Sequence, residues 1–143
     1  MTVARILAAK GGDVFTIQPH RTLAEVARLL TDKKIGAAVV AGADGLIAGI
    51  VSERDIVRAV ANGGCAALDE PVTRHMSAKV ATTTRSATVR SVMEQMTSGR
   101  FRHVPVIEHG RLAGLVSIGD VVKSHIEEIE TEHQALREYI ASA

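Results

Sequence analysis

The sequence predicts an α/β chain built as two copies of a β-α-β-β-α unit followed by a long helix, and three observations carry that expectation. The stretch Gly49-Ile50-Val51-Ser52-Glu53-Arg54-Asp55 recurs sixty-five positions later as Gly114-Leu115-Val116-Ser117-Ile118-Gly119-Asp120. Thr22 and Thr88 each stand at the head of a segment with helical apolar spacing. The apolar content is 46% with only 2% aromatic and no Trp, so the core must be Val, Ile, Leu, Ala and Met packed between helices and sheets.

The elements follow in chain order. Thr2 is placed to cap a short amphipathic helix through Ala9 that Gly11-Gly12 stops, and Val14-Phe15-Thr16-Ile17 reads as a short strand ended by Pro19. Thr22-Leu23-Ala24-Glu25 is a capping box opening a helix whose apolar face holds Leu23, Val26, Ala27, Leu29 and Leu30, with Gly36 as its end. Ala37 to Ala41 and Leu46 to Val51 are strands around an Ala43-Asp44-Gly45 turn. A helix from Glu53 to Asn62 then closes against Gly63-Gly64.

The second copy repeats this order. Val80-Ala81-Thr82-Thr83 matches Val14 to Ile17, and Phe101-Arg102-His103-Val104-Pro105-Val106 is the counterpart of the strand that begins near Gly36. Met93 and Met96 take the helix face of Ala27 and Leu30, which makes them core residues. Gly110 matches Gly45, with the first turn one residue longer, and Asp69-Glu70-Pro71 plus a short helix ending near Met76 joins the copies. The segments are residues 1–67 for the first copy with its lead-in, 68–125 for the second, and 126–143 for a helical extension.

In each copy strand, Ser and Asp meet at one place. A Ser hydroxyl and free backbone N–H groups at a helix N-terminus suit an anion, and a carboxylate one turn in accepts two hydrogen bonds from a ribose diol. The same residues also make ordinary caps, with Asp55 and Asp120 completing the boxes and no ligand needed.

Composition narrows the function classes. A chain of 143 residues can hold a real core. A net charge of +1 gives no general reason for a nucleic-acid partner, and the scarcity of aromatics argues against base stacking on the surface. Cys65 is the single cysteine, so neither an internal disulfide nor a cysteine-pair zinc site forms, and a reducing, cytoplasmic setting fits. Residues 1–10 are too short for a signal peptide or a membrane span. His20, His75, His109, His125 and His133 lack metal-ligand spacing, so no metal is expected. There is no P-loop, no G-x-G-x-x-G and no nucleophile with an evident base, so the chain is not expected to be an enzyme.

Val122, Ile126, Ile129, His133, Leu136 and Ile140 follow a four-three spacing, a coiled-coil seam flanked by Glu127, Glu128, Glu130 and Glu132. That stripe must be buried along its own body or against a second subunit. A homodimer is the preferred reading, and His133 on the seam would make the association pH-sensitive.

These residues together resemble a CBS-domain pair, the Bateman module named after cystathionine beta-synthase. The resemblance covers the chain to about His125 and rests on the two G-h-h-S-x-x-D stretches, the strand-turn-strand segments with Gly45 and Gly110, and Arg102-His103-Val104-Pro105-Val106. It implies two CBS units around a pseudo-two-fold axis, with two clefts that bind an adenosyl ligand: AMP first, with ADP, ATP, NAD or S-adenosylmethionine as other candidates. One cleft would use Val14, Phe15, Ile35, Gly36 and Ala37 around the base, with Ser117 near phosphate and Asp120 on the ribose. The other would use Val80, Ala81, Phe101, Arg102 and His103, with Ser52, Arg54 and Asp55. Gly119 stands where the first copy has Arg54, so the Asp55 cleft is expected to bind phosphate more tightly. The implied role is a regulatory sensor that signals by differential binding to a separate effector protein. A protein-interaction or stress scaffold that keeps the fold without binding nucleotide is the alternative, and nucleic-acid binding through Arg100, Arg102 and Arg111 ranks last.

Overall fold

Capped helices alternate with short valine-rich strands in the computed structural model, which describes residues 1–142. The helices are α1 (Val3–Lys10), α2 (Leu23–Lys33), α3 (Glu53–Gly63), α4 (Val89–Gly99) and α5 (Ile118–Ser142). The strands are β1 (Thr16–Ile17), β2 (Ala37–Ala41), β3 (Ile47–Ser52), β4 (His103–Glu108) and β5 (Arg111–Ser117). Ala143, the last residue of the expected tail, lies outside the described residues. The chain divides into two compact units: Asp13–Ala81 with His109–Ala113, and Met1–Gly12 with Thr82–Glu108 and the chain from Gly114.

In the first-copy unit, β1 runs parallel to β2 and β2 antiparallel to β3, with Ala37 opposite Ser52 and an irregularity at Val40/Ala41. The core packs Leu23, Val26 and Leu30 of α2 against Ala38, Val40 and Val51 of the sheet, with Ala59, Ala67 and Val72 closing it. Small and branched side chains fill this space without aromatics, as the composition demands. Two 3₁₀ turns, Gly64–Asp69 and Val72–Arg74, take the place of the expected linking helix.

β4 pairs with β5 through a two-residue turn, His109-Gly110, in which both residues take positive φ as a tight hairpin requires. The strand expected over Val80–Thr83 shrinks to one parallel bridge, Thr83 to Val106, held by Thr83 N–H to the Pro105 carbonyl at 3.0 Å and Ile107 N–H to the Thr83 carbonyl at 2.9 Å. Val89, Val92 and Met96 form the buried stripe of α4, while Met93 is only half-buried.

α1 is bonded into the second-copy unit. Its first amides, which Thr2 was expected to cap, are instead satisfied by the carbonyls of Ala87 and Arg85, each at 2.9 Å, and the Thr2 side chain makes no cap. The segment before the second copy does the same in the first-copy unit: Val72 N–H donates to Arg21 at 2.8 Å, as Val3 N–H donates to Ala87. The bridges Thr2 to Thr88 and Thr22 to Pro71 complete the parallel.

Three local expectations change. α2 ends at Lys33 with Lys34 in the left-handed region at φ 55, and Arg100 repeats this at φ 57, so Gly36 is not the terminator. The strand over Val14–Ile17 narrows to Thr16–Ile17. At Thr22 only half of a capping box forms, since Glu25 N–H reaches the Thr22 hydroxyl at 3.2 Å while the Glu25 carboxylate takes Arg21 at 3.1 Å. The helical extension continues the last helix of the second copy, α5 running unbroken from Ile118 to Ser142. No helix among the described residues is long and apolar enough to cross a membrane.

Candidate functional site: two Ser-x-x-Asp stations

Each unit carries one station where a strand ends and a helix begins. At the first, Ser52 N–H donates to Asp55 Oδ2 at 2.8 Å and Asp55 N–H donates to the Ser52 hydroxyl at 3.4 Å. At the second, Ser117 N–H donates to Asp120 Oδ2 at 2.9 Å and Asp120 N–H to the Ser117 hydroxyl at 3.2 Å. Both are reciprocal capping boxes, so the cap reading of these residues holds at both stations.

The strands close the remaining amide. Glu53 N–H donates to the Gly36 carbonyl at 3.0 Å, and Ile118 N–H donates to the Arg102 carbonyl at 2.8 Å. Of the first three helix amides at each station, the second, on Arg54 and on Gly119, has no acceptor among the described residues. Each station thus retains one helix donor beside a carboxylate.

The glycine that opens each stretch serves packing. A Cβ on Gly49 would stand 2.7 Å from the Ser77 carbonyl oxygen and 2.6 Å from Met76 Sδ, and one on Gly114 would stand 2.6 Å from Leu7 Cδ2. Ser77 closes against β3 through two hydrogen bonds with Ile50, of 3.0 and 2.9 Å. The glycines therefore admit the neighbouring segment, Met76-Ser77 in one unit and α1 in the other.

The partners of the two carboxylates differ. Asp55 is buried, its Oδ2 also accepts from the Ser52 hydroxyl at 3.1 Å, and its Oδ1 meets the exposed Arg58 guanidinium at 3.4 Å. Asp120 Oδ2 takes the Lys10 ammonium at 2.6 Å, and the same ammonium donates to the Leu115 carbonyl at 2.9 Å. Burial works to raise the Asp120 pKa, but the Lys10 hydrogen bond, the Ser117 N–H and the Lys10 charge outweigh it and hold the carboxyl below its ordinary range. Sequence reasoning missed Lys10 because it lies outside the repeated stretch.

The other expected residues fall as follows. Ala37 is buried opposite Ser52, Gly36 and Ile35 lead into the same strand, and Arg54 is exposed on the first turn of α3. Val14 and Phe15 are half-buried, with Lys33 Nζ 5.2 Å from the Phe15 ring centroid. Val80 and Ala81 lie at the end of the first-copy unit, half-buried. Phe101 and His103 are half-buried beside exposed Arg102.

Arg102 stands beside the Ser117–Asp120 station of its own unit, where it lines an open cavity of about 570 Å³ with Ile118, Gly119, Val122 and Lys123. The Asp120 station, expected to be the poorer in cations, thus has two nearby. Gly119 does lack a side chain, but Lys10 and Arg102 approach from elsewhere in the same unit.

Known proteins resemble this chain in sequence and fold. The CBS-domain family model matches residues 6–62 and 72–127. The crystal structure of the CBS-domain containing protein ATU1752 from Agrobacterium tumefaciens is 49% identical with a TM-score of 0.85, covering 87% of this chain and 99% of that one. The mitochondrial CBS domain-containing protein CBSX3 of Arabidopsis thaliana is 33% identical over 97% of this chain and 71% of its own length. The CBS domain protein PAE2072 from Pyrobaculum aerophilum, solved in complex with AMP, is 30% identical with a TM-score of 0.75, covering 84% and 89% of the two chains. With two matched copies across most of its length and two capped Ser-x-x-Asp stations in its fold, this chain belongs to the CBS-domain family.

Proposed function

We propose that this chain is a regulatory, non-catalytic module that binds an adenine nucleotide, AMP foremost, and signals its occupancy to a partner protein. The observation that carries the reading is the duplicated station: a helix N-terminus with one open amide, a carboxylate fixed by its own cap, and cations at hand. The AMP complex of the Pyrobaculum relative supports AMP as the first ligand to test. In this reading Asp55 and Asp120 accept ribose hydroxyls, and Ser52, Arg54 and Ser117 serve the phosphate. Val14, Phe15, Ile35, Gly36, Ala37, Val80, Ala81, Phe101, Arg102 and His103 supply the apolar and backbone surface for the base, with Arg102 and His103 adding charge.

The module acts as a homodimer. Ile126, Leu136 and Ile140 of α5 are 50%, 56% and 65% exposed, so the stripe of the terminal helix is unburied by its own chain and fits a second copy. Exposed Cys65, the single cysteine, supports a reducing cytoplasmic setting.

The test is calorimetric titration of ligand-stripped protein with AMP, ADP, ATP, NAD and S-adenosylmethionine, repeated on Asp55→Ala and Asp120→Ala. Saturable binding of an adenine ligand that either substitution weakens about tenfold or more supports the reading. No binding across the panel would leave both stations as caps and favour the interaction scaffold. For the dimer, light scattering after chromatography should give twice the chain mass, and Leu136→Glu should give the monomer.

A further inference from the structure

We propose that Lys10 is the phosphate-reading residue of the Asp120 station, making its ligand a nucleotide with an anionic 5′ group in preference to an uncharged nucleoside. This rests on the nucleotide-binding reading above and deepens it. Lys10 ends α1, four residues before Val14 in the chain, and its side chain is held in place by two acceptors, Asp120 Oδ2 and the Leu115 carbonyl. An ammonium has three donors, so one remains for a ligand.

The position is also open to a ligand. The Lys10 and Asp120 side chains are 37% and 24% exposed, which leaves the pair open to a ligand yet partly shielded from water. Lys10, Arg5, Lys123 and Asp120 line one cavity of about 200 Å³, together with Ser124 and Glu127. Three cations face Asp120 and Glu127 there, and the Asp120 charge is already met by Lys10. A surplus of positive charge therefore borders the carboxylate, and a phosphate is the group of matching size and sign.

The hydrogen bonds divide the work. Asp120 Oδ2 is taken by Ser117 N–H and Lys10, while Oδ1 has no donor among the described residues and can accept a ribose hydroxyl. Lys10, held on the other oxygen of the same carboxylate, is the cation that this reading assigns to the 5′ substituent. At the other station Arg58 occupies Asp55 Oδ1 and no lysine bonds Asp55 Oδ2. The two stations thus differ in what they ask of a ligand.

The experiment compares AMP with adenosine by calorimetry at low salt, using the full chain in an Asp55→Asn background that keeps a capping oxygen on α3, with Lys10, Lys10→Met and Lys10→Arg. The expected result is that Lys10→Met weakens AMP about tenfold or more, leaves adenosine within about twofold, and that Lys10→Arg restores most of the AMP preference. Equal losses for AMP and adenosine would make Lys10 a mere support for Asp120 and overturn the proposal, as would an unchanged AMP affinity. Should Lys10→Met melt below the working temperature, the unsubstituted station decides alone: its AMP-over-adenosine preference must shrink as salt rises to about 1 M, and a salt-independent preference overturns the proposal. If the natural chain binds neither compound, the nucleotide reading itself falls, which is a different result from a natural chain that binds AMP without discrimination by Lys10.

Discussion

The Ser52–Asp55 and Ser117–Asp120 stations agree in the bonds that the repeat encodes and differ in the bond that it does not. The cap distances, 2.8 against 2.9 Å for the serine amide and 3.4 against 3.2 Å for the aspartate amide, are nearly the same. The counter-cation is not: Arg58 comes from one turn further along the same helix, whereas Lys10 comes from more than a hundred residues away in the chain. Duplication of a folding motif thus copies its local hydrogen bonds, and the pieces that pack on it individualise each copy.

The largest effect expected from that difference lies at the glycines. Gly49 faces a backbone oxygen that cannot swing aside, while Gly114 faces the tip of Leu7, which can. Gly49→Ala is expected to destabilise the chain by about 1–3 kcal/mol in urea unfolding, with Gly114→Ala below about 1 kcal/mol. Equal losses would mean that α1 is as rigid against β5 as Ser77 is against β3, and the asymmetry in packing would be gone.

A smaller effect separates the carboxylates. Asp55→Ala and Asp120→Ala each remove a capping residue, at a cost of about 1 kcal/mol in helix stability. Asp120→Ala strands Lys10 from a 2.6 Å pair, whereas Asp55→Ala strands Arg58 from a longer, more exposed pair at 3.4 Å, so the Asp120→Ala loss should be the larger at low salt, and the gap should close as salt approaches about 1 M. A gap that persists in high salt would point to packing around α1 in place of charge.

Much of this was legible in the residues. Two matching Gly-to-Asp stretches and two threonine caps define the main helices and the paired strands of both copies, because capping and strand alternation are local physics. What was not legible depended on contacts distant in sequence. The strand over Val80–Thr83 has β-compatible residues, yet only Thr83 bonds a partner, so its propensity found no ladder to join. Gly36 is the terminator the sequence suggests, but Lys34 and Arg100 carry the left-handed turn, a conformation that nothing in their side chains announces.

A second, shorter repeat in the sequence places α1. Val3 and Leu7 have the spacing of Val72 and Met76, sixty-nine positions on, the first pair packing in the unit of the second copy and the second pair in the unit of the first. Reading that second, shorter repeat would have assigned α1 to the second copy. It would also have brought Lys10 to Asp120.

The finest discriminator between the stations is the titration of Asp120. Its folded pKa is lowered, so the unfolded chain binds the proton more readily and the group contributes stability above the ordinary carboxylate value of 3.8 that is lost as the pH falls through the lower folded value. With both side chains partly exposed, the contribution is under about 1 kcal/mol. Carboxyl carbon resonances followed by NMR should show Asp120 titrating below 3.8 in the natural chain and moving upward in Lys10→Met. The stability difference between those two proteins should accordingly narrow as the solution is acidified through that range. An Asp120 midpoint indifferent to Lys10 would leave the cap alone as the source of the shift, and the two stations would then be electrostatically alike despite their different partners.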